Sequence, residues 1–224
     1  MPTANRRLGL LALGETPRED VAPTFRSILG GSVQVLEAGA LDGLSAHELR
    51  AFLPGAGEPP LETRRRSGAA IEISRQALLP RLIAAADRLS QQCGTVLLLC
   101  SGEFPELAAA CPGLVQPIHI LRGAVAAIAR QRVLGLIGPA SDLDEAPAQW
   151  APYAPRLICA AASPYGPADR AEAAGRELAA RHAQVIYLDC MGFNEAHRIA
   201  VRRASGLPVM SATTLTARVL CEML

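Results

Sequence analysis

Six short apolar runs punctuate the chain: Leu8 to Leu13, Val33 to Leu36, Val96 to Leu99, Val133 to Ile137, Leu157 to Ala161 and Val185 to Leu188. None alternates apolar with polar residues, so a strand built from any of them must be covered on both faces. That pattern belongs to a parallel sheet flanked by helices, an α/β fold. The segments between the runs read as helices. Ser74 can cap a helix running to about Ser90, with Pro80 near its start or kinking it. Ala171 to His182 is rich in Ala, Glu and Arg, all good helix formers except where a cap is needed. Leu215, Val219 and Met223 fall on one stripe of a C-terminal helix.

The runs also repeat. "LGLLALG" opens one series and "VLGLIGP" a second; "VLLLCSGEF" closes the first and "VIYLDCMGF" the second. Each closing strand ends in Cys-x-Gly with a Phe soon after, so the chain reads as two related halves. The first half is longer by Ala51 to Ser74, where "LETRRRSGAAIEIS" reads as a hairpin turning at Ser67-Gly68. A Pro-rich insertion, Asp142 to Arg156, holds the only Trp. It fits a lid, a homodimer contact or surface decoration.

Composition excludes several function classes. All 22 basic residues are Arg. Without Lys there is no Schiff base, no lysine-anchored pyridoxal and no Walker-type phosphate loop. Acidic residues number 21, and no basic stripe interleaves with aromatics, so no nucleic-acid partner is expected. The run Arg64-Arg65-Arg66 reads as a solvated patch. No apolar stretch is long enough for a membrane span, and the apolar N-terminal run reads as a first core strand rather than a signal peptide. The six cysteines lack metal-knuckle or redox-pair spacing, which points to reduced thiols in a cytoplasmic protein with no metal.

Two of those cysteines stand out. Cys100 and Cys190 fall at the carboxyl ends of matching strands, where ligands sit in an open α/β sheet. Each precedes a predicted helix start, and a helix N-terminus lowers a thiol's pKa. Two thiols facing one cleft suit one chemistry: a thiolate takes a carbon-bound proton from one face and a thiol returns one to the other. Donors that stabilise the developing enolate complete such a site; Thr16, Ser101 and the amides of Gly102 and Gly192 are candidates. A cysteine ending a core strand is also an ordinary packing residue. Cys93, Cys111, Cys159 and Cys221 lack the matching context and read as structural.

The two cysteine motifs, the opening "LGETPRED" and the closing "LPVMSATTLTARVLCEML" resemble the AroM family over essentially the whole chain. That family is related to the aspartate/glutamate racemase superfamily. The resemblance implies two Rossmann-like lobes with parallel sheets about a pseudo-twofold axis. Residues 1–118 and 208–224 would form the first lobe, 119–207 the second, with a cleft between and the C-terminal helix returning to the first. It further implies cofactor-independent chemistry, with Cys100 and Cys190 matching the two catalytic cysteines, on a small carboxylate or cyclic amide. Amino-acid racemases of the superfamily commonly carry Asn-Thr or Asn-Ser after the first cysteine and Thr-His after the second. Here Ser101-Gly102-Glu103 and Met191-Gly192 follow, which argues against an acidic amino acid as substrate. A one-cysteine isomerase or decarboxylase and a non-catalytic carboxylate-binding protein are the alternatives.

Further residues have two readings each. Arg18, after "GETP", can hold a substrate carboxylate bidentately or pair at the surface with Glu15 or Asp20. Glu103 can contact substrate, act as a base, or be the first-turn acid of a helix. Ser163 and Tyr165 in "ASPYGP" can reach the cleft or form a simple turn. Asp189 reads as a strand-end hydrogen-bonding residue and His197 as an exposed helix residue. Thr213 and Thr214 read as caps of the final helix.

Overall fold

The computed structural model describes residues 6–224. In chain order the elements are β1 (Arg6–Ala12), α1 (Ala22–Leu29), β2 (Val33–Gly39), β3 (Leu61–Arg64), β4 (Ala70–Ile73), α2 (Arg75–Ser90), β5 (Thr95–Leu98), α3 (Pro105–Ala110), β6 (Leu114–Val115) and α4 (Pro117–Ala129). The second series is β7 (Leu134–Gly138), α5 (Ala146–Trp150), β8 (Leu157–Ala161), α6 (Ala168–Ala180), β9 (Val185–Leu188), α7 (Glu195–Ser205), β10 (Val209–Ser211) and α8 (Ala212–Met223).

Two parallel sheets result, ordered β2-β1-β5-β6 and β8-β7-β9-β10. Counted from the first strand of each half, the order is the same, so the repeat seen in the sequence is a repeat of topology. The repeated Leu-Gly-Leu of β1 and β7 has a packing cause. A Cβ on Gly9 would lie 3.2 Å from Leu89 Cβ, and one on Gly135 would lie 2.9 Å from Leu178 Cδ1. Glycine lets α2 in the first half and α6 in the second sit directly on the central strand.

Alternation along the strands sorts their side chains onto two faces. Leu8, Leu10 and Ala12 face a core shared between the lobes, which Leu134, Leu136, Tyr187, Ala217 and Leu220 also enter. Leu11 and Leu13 face a second core under α2. Ile137, Ile186 and Leu188 face a third under α6 and α7. Each buried Leu contributes roughly 1.5–3 kcal/mol, and both faces of each sheet are covered as the unbroken runs require.

The hairpin β3–β4 is antiparallel and turns at Gly68, which has φ +95°. Its arginines are not a solvated patch. Arg64 pairs with Asp20 at 3.1 Å, Arg65 with Glu15 at 3.4 Å, and Arg66 Nε donates to the Thr16 carbonyl at 2.6 Å. They clamp the hairpin onto the loop after β1. Ser74 caps α2, its hydroxyl accepting from the Ala77 amide, with Pro80 inside the helix.

At the C-terminus Val209–Ser211 pairs with β9 in the second sheet. Helix α8 then packs on α1 and α4. The buried face of α8 carries Thr213, Thr216, Ala217 and Leu220, while Met223 is 61% exposed. Thr213 donates to the Met191 carbonyl at 2.9 Å and Thr214 to the Ser211 carbonyl at 3.4 Å, so neither caps the helix. Thr213 and Thr214, bonded to backbone carbonyls, can face inward where the stripe of Leu215, Val219 and Met223 was expected; the buried Thr216 hydroxyl has no partner among the described residues.

Candidate active site

Cys100 and Cys190 occupy equivalent places in the two halves. The residue before each is still held by its central strand: the Leu99 amide donates to the Leu11 carbonyl and the Asp189 amide to the Ile137 carbonyl, both at 2.8 Å. Each chain then turns so that an amide two residues on reaches the sulfur. Gly102 N–H donates to Cys100 Sγ and Gly192 N–H to Cys190 Sγ, both at 3.3 Å. This is the local reason for the repeated Cys-x-Gly. Both cysteines line a single cavity of about 710 Å³.

The thiols are not activated as the sequence led us to expect. Helices α3 and α7 begin at Pro105 and Glu195, too far on to present their first amides to the sulfurs. Burial dominates instead, pushing Cys100 up to about 11 and Cys190 higher still, against the smaller downward pull of the glycine amides. Both side chains remain partly open to the cavity.

Gly192 is fixed by its neighbours. A Cβ there would lie 2.6 Å from Pro164 Cγ and 2.8 Å from the Tyr165 hydroxyl. Tyr165 lines the cavity beside Cys190, with its hydroxyl accepting from Arg18 Nη2 at 3.3 Å. Burial raises the Tyr165 phenol far above its usual value. Ser163 does not line this cavity but bonds Glu62, which does, and its hydroxyl accepts from the Tyr165 amide at 3.1 Å. It shapes the turn that presents Tyr165.

Arg18 is not a surface residue. It is 2% exposed, grips Asp20 through Nε at 2.9 Å and Nη2 at 2.8 Å, and does not line the cavity. Asp20 is the expected partner, but the pair is buried. Burial alone would raise Asp20; the Arg18 bond and charge and the Arg64 charge hold it below the usual carboxylate range. Thr16 is likewise spent: its amide and hydroxyl meet Asp42 at 2.7 and 2.6 Å. Neither Thr16 nor Arg18 lines the cavity; Arg18 reaches its wall through the Tyr165 hydroxyl.

Ser101, Gly102 and Glu103 do line the cavity. Glu103 precedes α3, whose first-turn acid is Glu106 instead. Its carboxylate pairs with Arg122 at 2.8 Å. His197 is part-buried and belongs to a capping box, its Nδ1 accepting from the Asn194 amide at 3.3 Å, and it stacks edge-on to Phe193.

The sequence did not reveal one feature of the site. Trp150, in the insertion read as a lid, a homodimer contact or surface decoration, is fully buried, and its indole Nε1–H donates to Asp189 Oδ2 at 2.8 Å. Burial raises Asp189 to about 6 although the indole bond opposes it. Asp189 lines the same cavity, as do Asp142 and Glu145 from the insertion. The only signal was an acid at the strand end where the first half has Leu99; nothing in the spacing links residues 150 and 189. Among the described residues no group of His, Cys, Asp and Glu is placed to hold a metal ion, and no helix is long and apolar enough to cross a membrane.

A family model described as "AroM protein" matches residues 8–224. No curated protein matches the chain. Solved structures share the fold. Allantoin racemase from Pseudomonas fluorescens is 14% identical with a TM-score of 0.59, covering 97% of this chain and 90% of its own. Glutamate racemase RacE1 from Bacillus anthracis is 13% identical with a TM-score of 0.57, covering 98% and 81%. Nocardia farcinica maleate cis-trans isomerase, in a form holding a covalent succinylcysteine intermediate, is 14% identical with a TM-score of 0.57, covering 97% and 91%. At these identities the likeness shows an aspartate/glutamate racemase-like fold.

Proposed function

The chain belongs to the AroM family, and we propose that it moves a proton on and off a carbon next to a carbonyl or carboxylate, with Cys100 and Cys190 as opposed base and acid. The observation that carries this is the placement of both thiols at equivalent strand ends on one cavity. The fold it shares with two racemases and a cis-trans isomerase supports the reaction class.

In the step proposed, the Cys100 thiolate takes the proton and its electron pair moves into the carbonyl as an enolate. The Cys190 thiol then returns a proton to the opposite face, and the two sulfurs exchange their protons with solvent to reset. Cys100, the less strongly raised thiol, is the one suited to start as base. The Ser101 hydroxyl, which lines the cavity and also meets Asp189, is the side-chain donor assigned to the enolate oxygen. The step uses no cofactor.

The test is proton NMR in deuterium oxide on a panel of carbon acids: hydantoins, α-amino amides and α-substituted carboxylates. Deuterium entering the α-position of a panel member, with net inversion abolished by Cys100→Ala and by Cys190→Ala, is the expected result. Net inversion that survives either substitution, or exchange that survives when both cysteines are replaced together, contradicts it.

A further inference from the structure

The cavity holds more acid than base. Its lining arginines are both engaged: Arg75 pairs with Glu106 at 2.9 Å and Arg122 with Glu103 at 2.8 Å. Arg122 Nε lacks a partner but is shut away from solvent. Glu62, Asp142, Glu145 and Asp189 also line the cavity, and among the described residues no salt bridge reaches them. Burial raises Glu62 and Asp142, and each is raised further by an acidic neighbour, Asp142 for the first and Glu145 for the second.

Asp189 adds an independent observation. It is 8% exposed, and while Oδ2 takes the indole of Trp150, Oδ1 makes no well-formed hydrogen bond among the described residues, the Tyr187 and Ser101 hydroxyls only helping to hold its carboxyl pKa down. A buried acceptor left unmade is costly, and a ligand donor in this cavity would satisfy it. Arg18 does not line the cavity and pairs with Asp20 through Nε and Nη2.

We propose that the substrate of this cavity is a small organic cation: a carbonyl compound carrying a protonated amine or guanidinium, whose charged nitrogen sits among Glu62, Asp142 and Asp189 while its acidic carbon lies at the thiols. The assignment rests on the proton-transfer reading of the same cavity. It also accounts for thiols that burial holds protonated. A cation seated beside them offsets the desolvation of a thiolate, whereas a dicarboxylate would add like charge to it.

Charged thiol reagents test the assignment without turnover. Three methanethiosulfonates share one electrophilic sulfur and carry a trimethylammonioethyl, a neutral ethyl or a sulfonatoethyl group. The cysteine thiolate attacks that sulfur, a disulfide forms, and methanesulfinate leaves with the electron pair. Rates at Cys100 and Cys190 are read by peptide mass spectrometry against Cys221, exposed on α8 of the same molecule. In low salt the cavity thiols should favour the ammonium over the sulfonate reagent by at least about tenfold relative to Cys221, as a cleft lined by one sign of charge requires. High salt should shrink the preference. The double substitution Glu62→Gln with Asp142→Asn, in a variant that still unfolds cooperatively, should bring it towards one. A ratio at or below one in the native protein overturns the proposal, and a preference undiminished in the folded variant overturns the assigned position of the nitrogen. Labelling reads only the charge of the cavity, so failed proton exchange leaves this result standing and the two readings fail separately.

Discussion

Trp150 Nε1–H donates to Asp189 Oδ2 at 2.8 Å, with both residues buried, and so ties α5 to the residue that precedes Cys190. Trp150→Phe keeps the edge-on packing against Tyr187, whose ring centroid is 5.3 Å away, and removes the donor. The carboxyl group then loses its hydrogen bond while still buried. Unfolding free energy from urea titration should fall by about 1–3 kcal/mol; an unchanged value contradicts the role given to the indole.

Asp189 should also mark the pH dependence of stability. Burial raises it from 3.8 to about 6, so the folded chain holds a proton at pH values where the unfolded chain has released it. Its contribution is fully present below the unfolded value and is lost as pH rises through the folded one, by on the order of 3 kcal/mol in all. Asp189→Asn removes that loss. The stability of the variant minus that of the native protein should therefore climb across this window and level off above it. A flat difference would show that the carboxyl is not desolvated.

Buried Arg18 pairs with part-buried Asp20. Arg64 still pairs with Asp20 when Arg18 is removed, so Arg18→Met should cost about 1.5–3 kcal/mol of stability for the lost charged hydrogen bonds. A substrate-binding arginine would behave differently, weakening ligand affinity with the melting temperature almost intact. Thermal unfolding of the variant separates the two.

Gly192→Ala would push a methyl group into Pro164 and the Tyr165 ring. Overpacking of this kind costs about 1–3 kcal/mol, and Tyr165 must move within the cavity. Gly102, whose Cβ would meet nothing closer than Cys100 Sγ at 3.4 Å, should accept alanine with little change. Melting temperatures of the two variants, measured side by side, give the comparison.

The strands were legible because residues such as Leu10, Leu11, Leu97 and Leu98 are buried on both faces and leave unbroken apolar runs. The two cysteines were legible because a repeat of topology leaves a repeat of sequence at the strand ends. β6 and β10, of two and three residues, are too short to leave a pattern. The inward face of α8 was misread because threonine hydroxyls bonded to backbone carbonyls behave as core residues. Arg18 was misplaced because its burial depends on groups far along the chain: Arg64 of the hairpin pairs with Asp20 at 3.1 Å and Asn194 Nδ2 donates to the Asp20 carbonyl at 3.2 Å. The thiol pKa shift was read with the wrong sign because the helix starts were placed next to the cysteines, whereas α3 and α7 begin later.

Enantiomer-resolved deuterium exchange tests the opposition of the two thiols most directly. For the panel compound that exchanges, each pure enantiomer is incubated in deuterium oxide with Cys100→Ser and with Cys190→Ser. Sulfurs on opposite sides of the substrate predict mirrored defects: each variant stops α-proton removal from one enantiomer and spares the other at least in part. Loss of the same enantiomer's exchange in both variants, or equal exchange of both enantiomers in each, would contradict the arrangement.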